Sequence, residues 1–456
     1  MAGIVDQDQE VLSLDRGATV PWRPIHYLGS KLRVLETLED AVGSVSSSGD
    51  SVCDLFSGSG TVSAWLARSR PVTAVDIQEY SRVICGALLK PQRICIHALE
   101  EELREAINLS RQAGTLFAAT PMIELEQSSL VEASNGSPEN FARLIEAGSL
   151  MTAHFDDPAN DVQKAMAETW YRVRSTHNEQ YVNSMVLRHF GGVYFSYCQA
   201  AELDAILEIA HRQTGTARDT MIAAILVAAS ELVNTVGKQF AQPLRPRDKG
   251  GRIKKTLYSQ AARDRYKSPS DAFVAALKKL SLSQVLDLEH RAIRSDYSDY
   301  LTSPDFNESV VYADPPYTRD HYSRFYHVLE TLALRDDPPI STNTAHGRTT
   351  PSRGVYRVNR HQSPFCIRSQ APSAFATLFS KVSSKGSSLV LSYSPYSSEK
   401  NAHPRVMTLD QIRAIATSYF TSVEVESVGE FFHSRLNRTD LNKEVSFDAE
   451  YLFVCR

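Results

Sequence analysis

The chain has 456 residues and a formal net charge of −4, with 42% hydrophobic and 22% charged residues. This length predicts more than one compact core, and the small negative charge excludes a protein that is basic over its whole surface. The six cysteines contain no CxxC pair, which argues against a zinc site or a disulfide framework. The sequence has no long apolar run and no secretory signal, which predicts a cytoplasmic protein without a membrane partner.

The first elements along the chain form a βαβ unit. Residues 1–20 are polar and unpatterned, which predicts a loose N-terminus. Residues 51–56 have the composition of a buried strand and lead into the glycine loop 57–61, a helix, and a second strand at 71–76. A strand, a glycine loop, a helix and another strand in so few residues predict a parallel sheet.

The pattern changes to mostly helical between residues 97 and 289. Residues 201–211 and 220–236 predict strong helices, and the second is apolar on nearly all sides, so we expect it to be buried. Residues 238–267 hold ten Lys and Arg against two Asp, a net +8 (10 − 2). Such a cluster is typical of a surface along phosphates, although a solvated loop would have the same composition.

The α/β pattern returns at residue 290. Strands are predicted at 292–294, 309–313, 388–393, 422–425 and 449–454, a helix through 326–329, and an irregular stretch at 335–370. Because the first βαβ unit is too short to close a sheet, we expect 21–96 and 290–456 to form one discontinuous α/β domain, interrupted by a helical insertion at 97–289.

The strand at 309–313 ends in Asp314-Pro315-Pro316-Tyr317. Proline cannot donate to a ladder, so these residues stop the strand and present an acid and a ring at its carboxyl end, where α/β sheets bind ligands. The Asp314 carboxylate and the Pro315 carbonyl can accept hydrogen bonds from an exocyclic amine, and Tyr317 offers a face to a planar ring. This arrangement suits attack by the amine on an electrophilic carbon.

The glycine loop indicates a nucleoside cofactor. Gly58 and Gly60 allow close backbone approach, but Ser63 stands where a dinucleotide fingerprint needs a third glycine. Asp76 ends the next strand and suits a pair of ribose hydroxyls. A nucleoside without a pyrophosphate that carries an electrophilic carbon is S-adenosyl-L-methionine.

Together these segments resemble the D12-class (Dam-like, α-group) DNA adenine N6-methyltransferases, in which the glycine motif, the target-recognition region and the Asp-Pro-Pro-Tyr motif follow in this order. Tyr27–Lys31 looks like the family's amino-terminal motif, and Asp296-Tyr297 looks like its acid–aromatic pair for the cofactor adenine. The resemblance implies a Rossmann-like α/β methyltransferase sheet with Lys31 near the cofactor's methionine carboxylate. It implies that S-adenosyl-L-methionine is held by Tyr27, Lys31, Asp54, Phe56, Gly58, Gly60, Asp76, Ile77, Asp296 and Tyr297, and that Asp314, Pro315, Pro316 and Tyr317 form the catalytic motif, without a metal.

The resemblance implies double-stranded DNA as the substrate, with the target adenine flipped out of the duplex onto Tyr317. We expect DNA contacts from the basic segment and from an arginine-bearing stretch after the catalytic motif. The candidates are Lys249, Arg252, Lys254, Lys255, Arg357 and Arg360.

Several alternatives remain open from the sequence. The enzyme could act alone or with a cognate restriction endonuclease or defence-system subunit. The same chemistry could serve cytosine N4, an RNA base or a protein glutamine, although Asp before Pro315-Pro316 disfavours cytosine and glutamine by family resemblance. A catalytically silent DNA-binding subunit is the non-enzymatic alternative, and the intact acids and glycines argue against it.

Overall fold

The computed structural model describes residues 22–27, 31–153, 160–177, 181–282, 285, 287–317, 322–345, 347–394, 406–428 and 450–456. The predicted loose terminus, residues 1–20, lies outside these ranges.

Within the described residues, seven strands form one mostly parallel sheet, and two others form a separate hairpin. In chain order the strands are β1 (Val52–Leu55), β2 (Val72–Asp76), β3 (Arg291–Arg294), β4 (Val310–Ala313), β5 (Thr342–Ala345), β6 (Arg348–Pro351), β7 (Ser388–Tyr393), β8 (Val423–Ser427) and β9 (Tyr451–Cys455). The sheet order is β3-β2-β1-β4-β7-β9-β8, in which β9 is antiparallel to both neighbours and the pairs from β3 to β7 are parallel. The predicted mixed α/β class with a mostly parallel sheet is confirmed.

The central strands are buried on both faces, as a parallel sheet requires. All four residues of β1 and of β4 are buried, and five of the six in β7. The strands predicted from apolar and β-branched runs are therefore observed where the sequence placed them. The prediction that 335–370 is irregular is wrong in part, because the β5–β6 hairpin and a short 3-10 helix at Pro364–Cys366 lie there.

Helices cover the sheet and extend into the inserted segment. Those that follow or precede sheet strands are α1 (Leu35–Ser44), α2 (Thr61–Leu66), α3 (Glu79–Leu89), α13 (Tyr297–Thr302), α14 (Tyr322–Phe325), α15 (His327–Leu334), α16 (Ala371–Ser384) and α17 (Leu409–Ala416). Those of the insertion are α4 (Ile96–Ala113), α5 (Thr115–Ser134), α6 (Glu139–Ala147), α7 (Asp161–His177), α8 (Met185–Phe190), α9 (Tyr197–Arg212), α10 (Gly215–Leu232), α11 (Leu257–Arg265) and α12 (Pro269–Ser281), with short 3-10 helices at Leu150–Thr152, Tyr181–Ser184 and Val236–Lys238.

The largest apolar core joins the insertion to the sheet-flanking helices. Helix α10 is buried on nearly all sides, as predicted, and it packs against α3, α9, α12 and α15. Its Leu226 shares one cluster with Ile84 of α3 and Leu329 of α15. The helices α5, α7 and α8 contribute to a separate cluster with α9. The inserted segment therefore adds part of the core of the α/β unit, beyond any role at the surface.

None of the helices in the described part of the chain is both long enough and apolar enough to span a membrane.

Candidate active site

The glycine loop and the Asp-Pro-Pro-Tyr segment emerge side by side from the sheet. Strands β1 and β4 are parallel neighbours, and Leu55 pairs with Ala313 at their carboxyl ends. Phe56 and Asp314 therefore leave the sheet at the same edge. Strand β4 ends there because Pro315 and Pro316 have no N–H to continue the ladder.

These carboxyl ends form one side of a cleft that is open to solvent. Most of the predicted cofactor and catalytic residues meet in this cleft. Its walls include Tyr27, Phe56, Asp76, Ile77, Asp296, Tyr297, Asp314, Pro315, Pro316 and Tyr317.

The glycine loop closes against the first acid-bearing strand end. Gly58 and Gly60 have φ values of 54° and 73°, a region that favours glycine. The Gly58 N–H donates to Asp76 Oδ2 at 3.0 Å, and the Gln78 N–H donates to Asp76 Oδ1 at 2.9 Å. A Cβ on Gly58 would lie 2.6 Å from the Tyr27 ring. The loop is therefore fixed by both its backbone conformation and its contact with Tyr27.

Two carboxyls lie on this side of the sheet, of which Asp54 is buried and Asp76 is partly buried. Burial raises the pKa of Asp76 above its ordinary value, although the two backbone donors oppose that shift. Burial also raises the pKa of Asp54 to about 7, against the hydrogen bond from Ser63 Oγ to its Oδ2. Asp54 lies beneath the loop and Asp76 on the cleft wall, so Asp54 acts on the loop through Ser63, at the start of α2.

Aromatic rings form part of the cleft wall. Phe56 lies 5.4 Å from both Tyr297 and Phe365, measured between ring centroids. On another side, Tyr27 stacks on Tyr326 with centroids 4.9 Å apart. Such walls offer flat apolar faces to a purine ring.

Asp296 combines a structural role with a place in the cleft. Its Oδ1 accepts from the Ser298 N–H at 2.8 Å and caps α13. The backbone holds it beside Asp76, because the Ser295 N–H donates to the Asp76 carbonyl at 2.9 Å. The acid and the following Tyr297 thus line the same cavity as Phe56 and Asp76.

Lys31 is ion-paired with two carboxylates of the protein. Its Nζ lies 2.8 Å from Asp314 Oδ2 and 2.7 Å from Glu450 Oε1. Burial disfavours the ammonium, but the two carboxylates raise the pKa of Lys31 well above its ordinary value. The lysine is therefore a buried cation that is ion-paired with Asp314.

Tyr317 lies on the cleft with one neighbour behind it. Its ring centroid is 4.9 Å from that of Tyr393 on β7, and the ring is largely buried. The Cys366 thiol donates to the Pro316 carbonyl at 3.4 Å, which ties the motif to the chain after the hairpin. The motif is thus fixed on both sides.

The chain matches the family model of the D12 class N6 adenine-specific DNA methyltransferases over residues 27–114 and 254–363. These two segments contain Lys31, the glycine loop, Asp76, Asp296 and the Asp-Pro-Pro-Tyr motif. This match confirms the resemblance to the D12 class.

A curated relative points the same way over a shorter stretch. The chain is 32% identical over 120 residues to modification methylase LlaI of Lactococcus lactis subsp. lactis. The similarity spans 26% of this chain and 16% of that methylase.

Outside the cleft, the predicted DNA-contacting residues differ in whether they are paired within the fold. Lys249, Lys254 and Lys255 have no ion pair within the described residues, and two of them are exposed. Arg252 is exposed and lies 3.2 Å from Asp248. Other basic residues of the same segment are paired within the fold, and these are Lys238, Arg247, Arg263, Arg265 and Lys267.

Arg357, another of the predicted DNA contacts, lies within the fold. Its side chain is buried, and its guanidinium lies 2.5 Å from Asp336 Oδ2 and 3.3 Å from Thr331 Oγ1. The Arg357 guanidinium therefore makes its contacts within the fold. Arg360 differs, because it is partly exposed and lies over the Tyr356 ring at 5.1 Å.

Sequence reasoning missed several residues of the site. Tyr326 stacks on Tyr27, and Glu450 binds Lys31, although neither stands in a recognisable pattern. Tyr326 could have been suspected, because it opens the helix that follows the catalytic motif. The remaining missed residues on the cleft wall are Val75, Gln78, Tyr80, Ser295, Tyr322, Ser323, His361, Gln362, Ser363, Pro364 and Cys366.

Proposed function

We propose that this protein transfers a methyl group from S-adenosyl-L-methionine to the N6 amine of adenine in a specific DNA sequence. The observation that carries the proposal is that Asp76, which accepts a hydrogen bond from the glycine loop, lines one cleft together with Asp314–Tyr317, on segments that match the D12 class. The strand order with β9 antiparallel supports a Rossmann-like methyltransferase sheet.

The cofactor would lie on the side of the cleft lined by Phe56, Asp76, Asp296 and Tyr297. Asp76 would accept hydrogen bonds from ribose hydroxyls and Asp296 from the adenine amine, while Phe56, Ile77 and Tyr297 would flank the ring. Gly58 and Gly60 let the backbone approach closely. When bound, S-adenosyl-L-methionine supplies a methyl group on a sulfonium, which is electrophilic.

The catalytic motif suits an amine whose lone pair is delocalised into a ring. The Asp314 carboxylate and the Pro315 carbonyl would accept the two N–H groups of N6 and stabilise positive charge as it develops on nitrogen. The same contacts orient the nitrogen toward the methyl group, which contributes proximity. Tyr317, supported by Tyr393, would stack on the base after it leaves the duplex.

Double-stranded DNA is the proposed macromolecular partner. Lys249, Lys254 and Lys255 would bind phosphates, joined by Arg252 and Arg360. The name of the relative, a modification methylase, is compatible with a cognate endonuclease, and a solitary enzyme is the other arrangement.

The test is a methylation assay with purified protein, labelled cofactor and duplex DNA, followed by mass spectrometry of the digested product. We expect N6-methyladenine at one sequence. Asp314→Ala should lower the rate of methyl transfer by a factor on the order of a hundred or more, with little change in cofactor or DNA affinity. The exposed Asp410→Ala on α17 is the matched control and should keep the wild-type rate.

Tyr317 gives a second, graded test. Tyr317→Ala should slow transfer through loss of a stacking face worth about 1–3 kcal/mol, and Tyr317→Phe should cost much less. Detection of N4-methylcytosine, of product only on RNA or protein, or of full activity in Asp314→Ala would overturn the proposal.

A further inference from the structure

A cluster of three charged side chains joins the acid of the catalytic motif to two buried residues. The Lys31 ammonium bridges Asp314 Oδ2 at 2.8 Å and Glu450 Oε1 at 2.7 Å. Lys31 and Glu450 are 5% and 6% exposed, whereas Asp314 reaches the cleft. Ser392 on β7 donates its hydroxyl to the same Glu450 oxygen. Glu450 therefore has its partners fixed by the strand β7 and by Lys31.

The fold brings these groups together from distant parts of the chain. Glu450 directly precedes β9, which pairs with β7, and β7 in turn pairs with β4, whose end carries Asp314. Glu450 lies outside both segments that match the D12 class. Neither the family match nor the motif pattern assigns it a role.

The charges in this cluster argue against a Glu450 side chain that serves only to stabilise the fold. Lys31 and Asp314 alone would form a neutral buried pair. Among the described residues that pair with Lys31, a second carboxylate gives a net charge of −1 (one ammonium, two carboxylates), and the burial of an additional charge is unfavourable unless that charge is compensated. That negative charge is adjacent to the place where the proposed reaction develops positive charge on nitrogen.

We propose that Glu450 is a positioning residue for methyl transfer, which holds Lys31 against Asp314 and keeps the cluster negative toward the amine. This inference rests on the proposed function. Glu450 does not reach the cleft itself, because it is absent from the walls of that cavity within the described residues. It acts through Lys31, whose ammonium fixes one oxygen of the Asp314 carboxylate.

The protonation of Lys31 gives the inference a pH signature. The groups that face its ammonium are Asp314 and Tyr312 on and after β4, Tyr317, and Glu450. Burial lowers the pKa of Lys31, and Asp314 and Glu450 together raise it above the ordinary value. If the charge of Glu450 is removed, the pKa of Lys31 falls, so the protonated form is lost at a lower pH.

The experiment compares Glu450→Gln with wild type in steady-state methylation of duplex DNA across pH. The amide keeps the shape and an oxygen acceptor but removes the charge. We expect kcat to fall on the order of tenfold, KM for cofactor and DNA to stay within about twofold, and the alkaline limb of the pH–rate profile to move to lower pH.

The matched control is Glu308→Gln. Glu308 is also a buried carboxylate, pairs with Arg291 at 2.8 Å, and lies before the other end of β4, away from the cleft. It should lose stability without a change in the pH–rate profile. Wild-type kcat and pH profile in folded Glu450→Gln, or an equal shift of the alkaline limb in Glu308→Gln, would overturn the inference. Failure of the proposed function is distinguishable, since wild type would then yield no N6-methyladenine.

Discussion

At the scale of single residues, the site depends on conformations and protonation states that only particular side chains allow. Gly58 combines a positive φ with a close contact to Tyr27, and Asp54 is a buried acid beneath the loop. Neither is expected to touch the reacting atoms. Both set the position of the loop on which the proposed cofactor would lie.

Gly58→Ala tests the loop contact. The added Cβ would lie 2.6 Å from the Tyr27 ring, so Tyr27 must move and the loop must strain. Calorimetry should show weaker binding of S-adenosyl-L-methionine, by about 1–3 kcal/mol. The control is Gly386→Ala. Gly386 has a φ of 72°, but no atom lies within 4 Å of the Cβ that alanine would add, so this variant introduces backbone strain without a steric contact. Equal affinity losses in the two variants would contradict the role of the Tyr27 contact.

Asp76→Ala tests the predicted ribose contact. The substitution removes the acceptor on the cleft wall and the partner of the Gly58 N–H. Cofactor affinity should fall by about 1.5–3 kcal/mol, the scale of a hydrogen bond to a charged group. Unchanged affinity in a folded variant, measured by calorimetry, would show that Asp76 does not hold the ribose.

Asp54 predicts a pH dependence of stability. Its folded pKa of about 7 exceeds the ordinary value of 3.8, so the folded protein binds its proton more tightly than the unfolded chain does. The stabilisation is present at low pH and is lost as pH rises through about 7. Relative to Asp54→Asn, the wild type should lose roughly 2–3 kcal/mol of unfolding free energy between about pH 5 and 8. Urea denaturation of both proteins at the two pH values measures this difference, and a constant difference would contradict it.

At the scale of elements, the basic segment 238–267 separates into paired and available charges. Arg265 is buried against Glu126, and Asp264 binds Lys238, Arg263 and Lys267. These contacts join α11 to the neighbouring helices. The charges available to DNA are concentrated in the loop before α11.

Neutralising Lys249, Lys254 and Lys255 together tests that loop. DNA binding should weaken, and the slope of log affinity against log salt should flatten by roughly one unit for each phosphate that the variant no longer neutralises. The control neutralises three exposed lysines elsewhere, Lys90, Lys278 and Lys385, and should leave the slope nearly unchanged. Fluorescence anisotropy over a salt series measures both. Identical slopes in the two triple variants would make the loop a solvated surface.

At the scale of the whole molecule, the sheet and the insertion share their largest core. Helix α10 belongs to the insertion by sequence, yet it packs on α3 and α15 of the sheet layer. The predicted boundaries at 97 and 289 therefore separate chain segments that are packed together. We expect cooperative unfolding across them.

Leu226→Ala tests this coupling. Leu226 is fully buried, and its truncation should cost about 2–5 kcal/mol. In single-tryptophan variants, Trp65 on α2 reports the sheet layer and Trp170 on α7 reports the insertion. In urea denaturation, Leu226→Ala should shift the unfolding midpoint that each of the two tryptophans reports. A shift of the Trp170 midpoint alone would show that the insertion unfolds as a separate unit.

The sequence by itself determined the strands, the glycine loop, Asp76 and the Asp-Pro-Pro-Tyr turn. These features have local causes, since a buried parallel strand needs a continuous apolar run, a positive φ needs glycine, and proline ends a ladder. Their order along the chain was enough to indicate the D12 class.

Only the tertiary structure decided which charges meet. It paired Lys31 with Asp314 and Glu450, committed Arg357 to Asp336, stacked Tyr326 on Tyr27, and placed α10 in the core of the sheet layer. Such contacts depend on which strand ends become neighbours in the sheet, and β9 inserts between β7 and β8 although it comes last in the chain. Residue spacing does not encode that adjacency, because the packing of whole elements creates it.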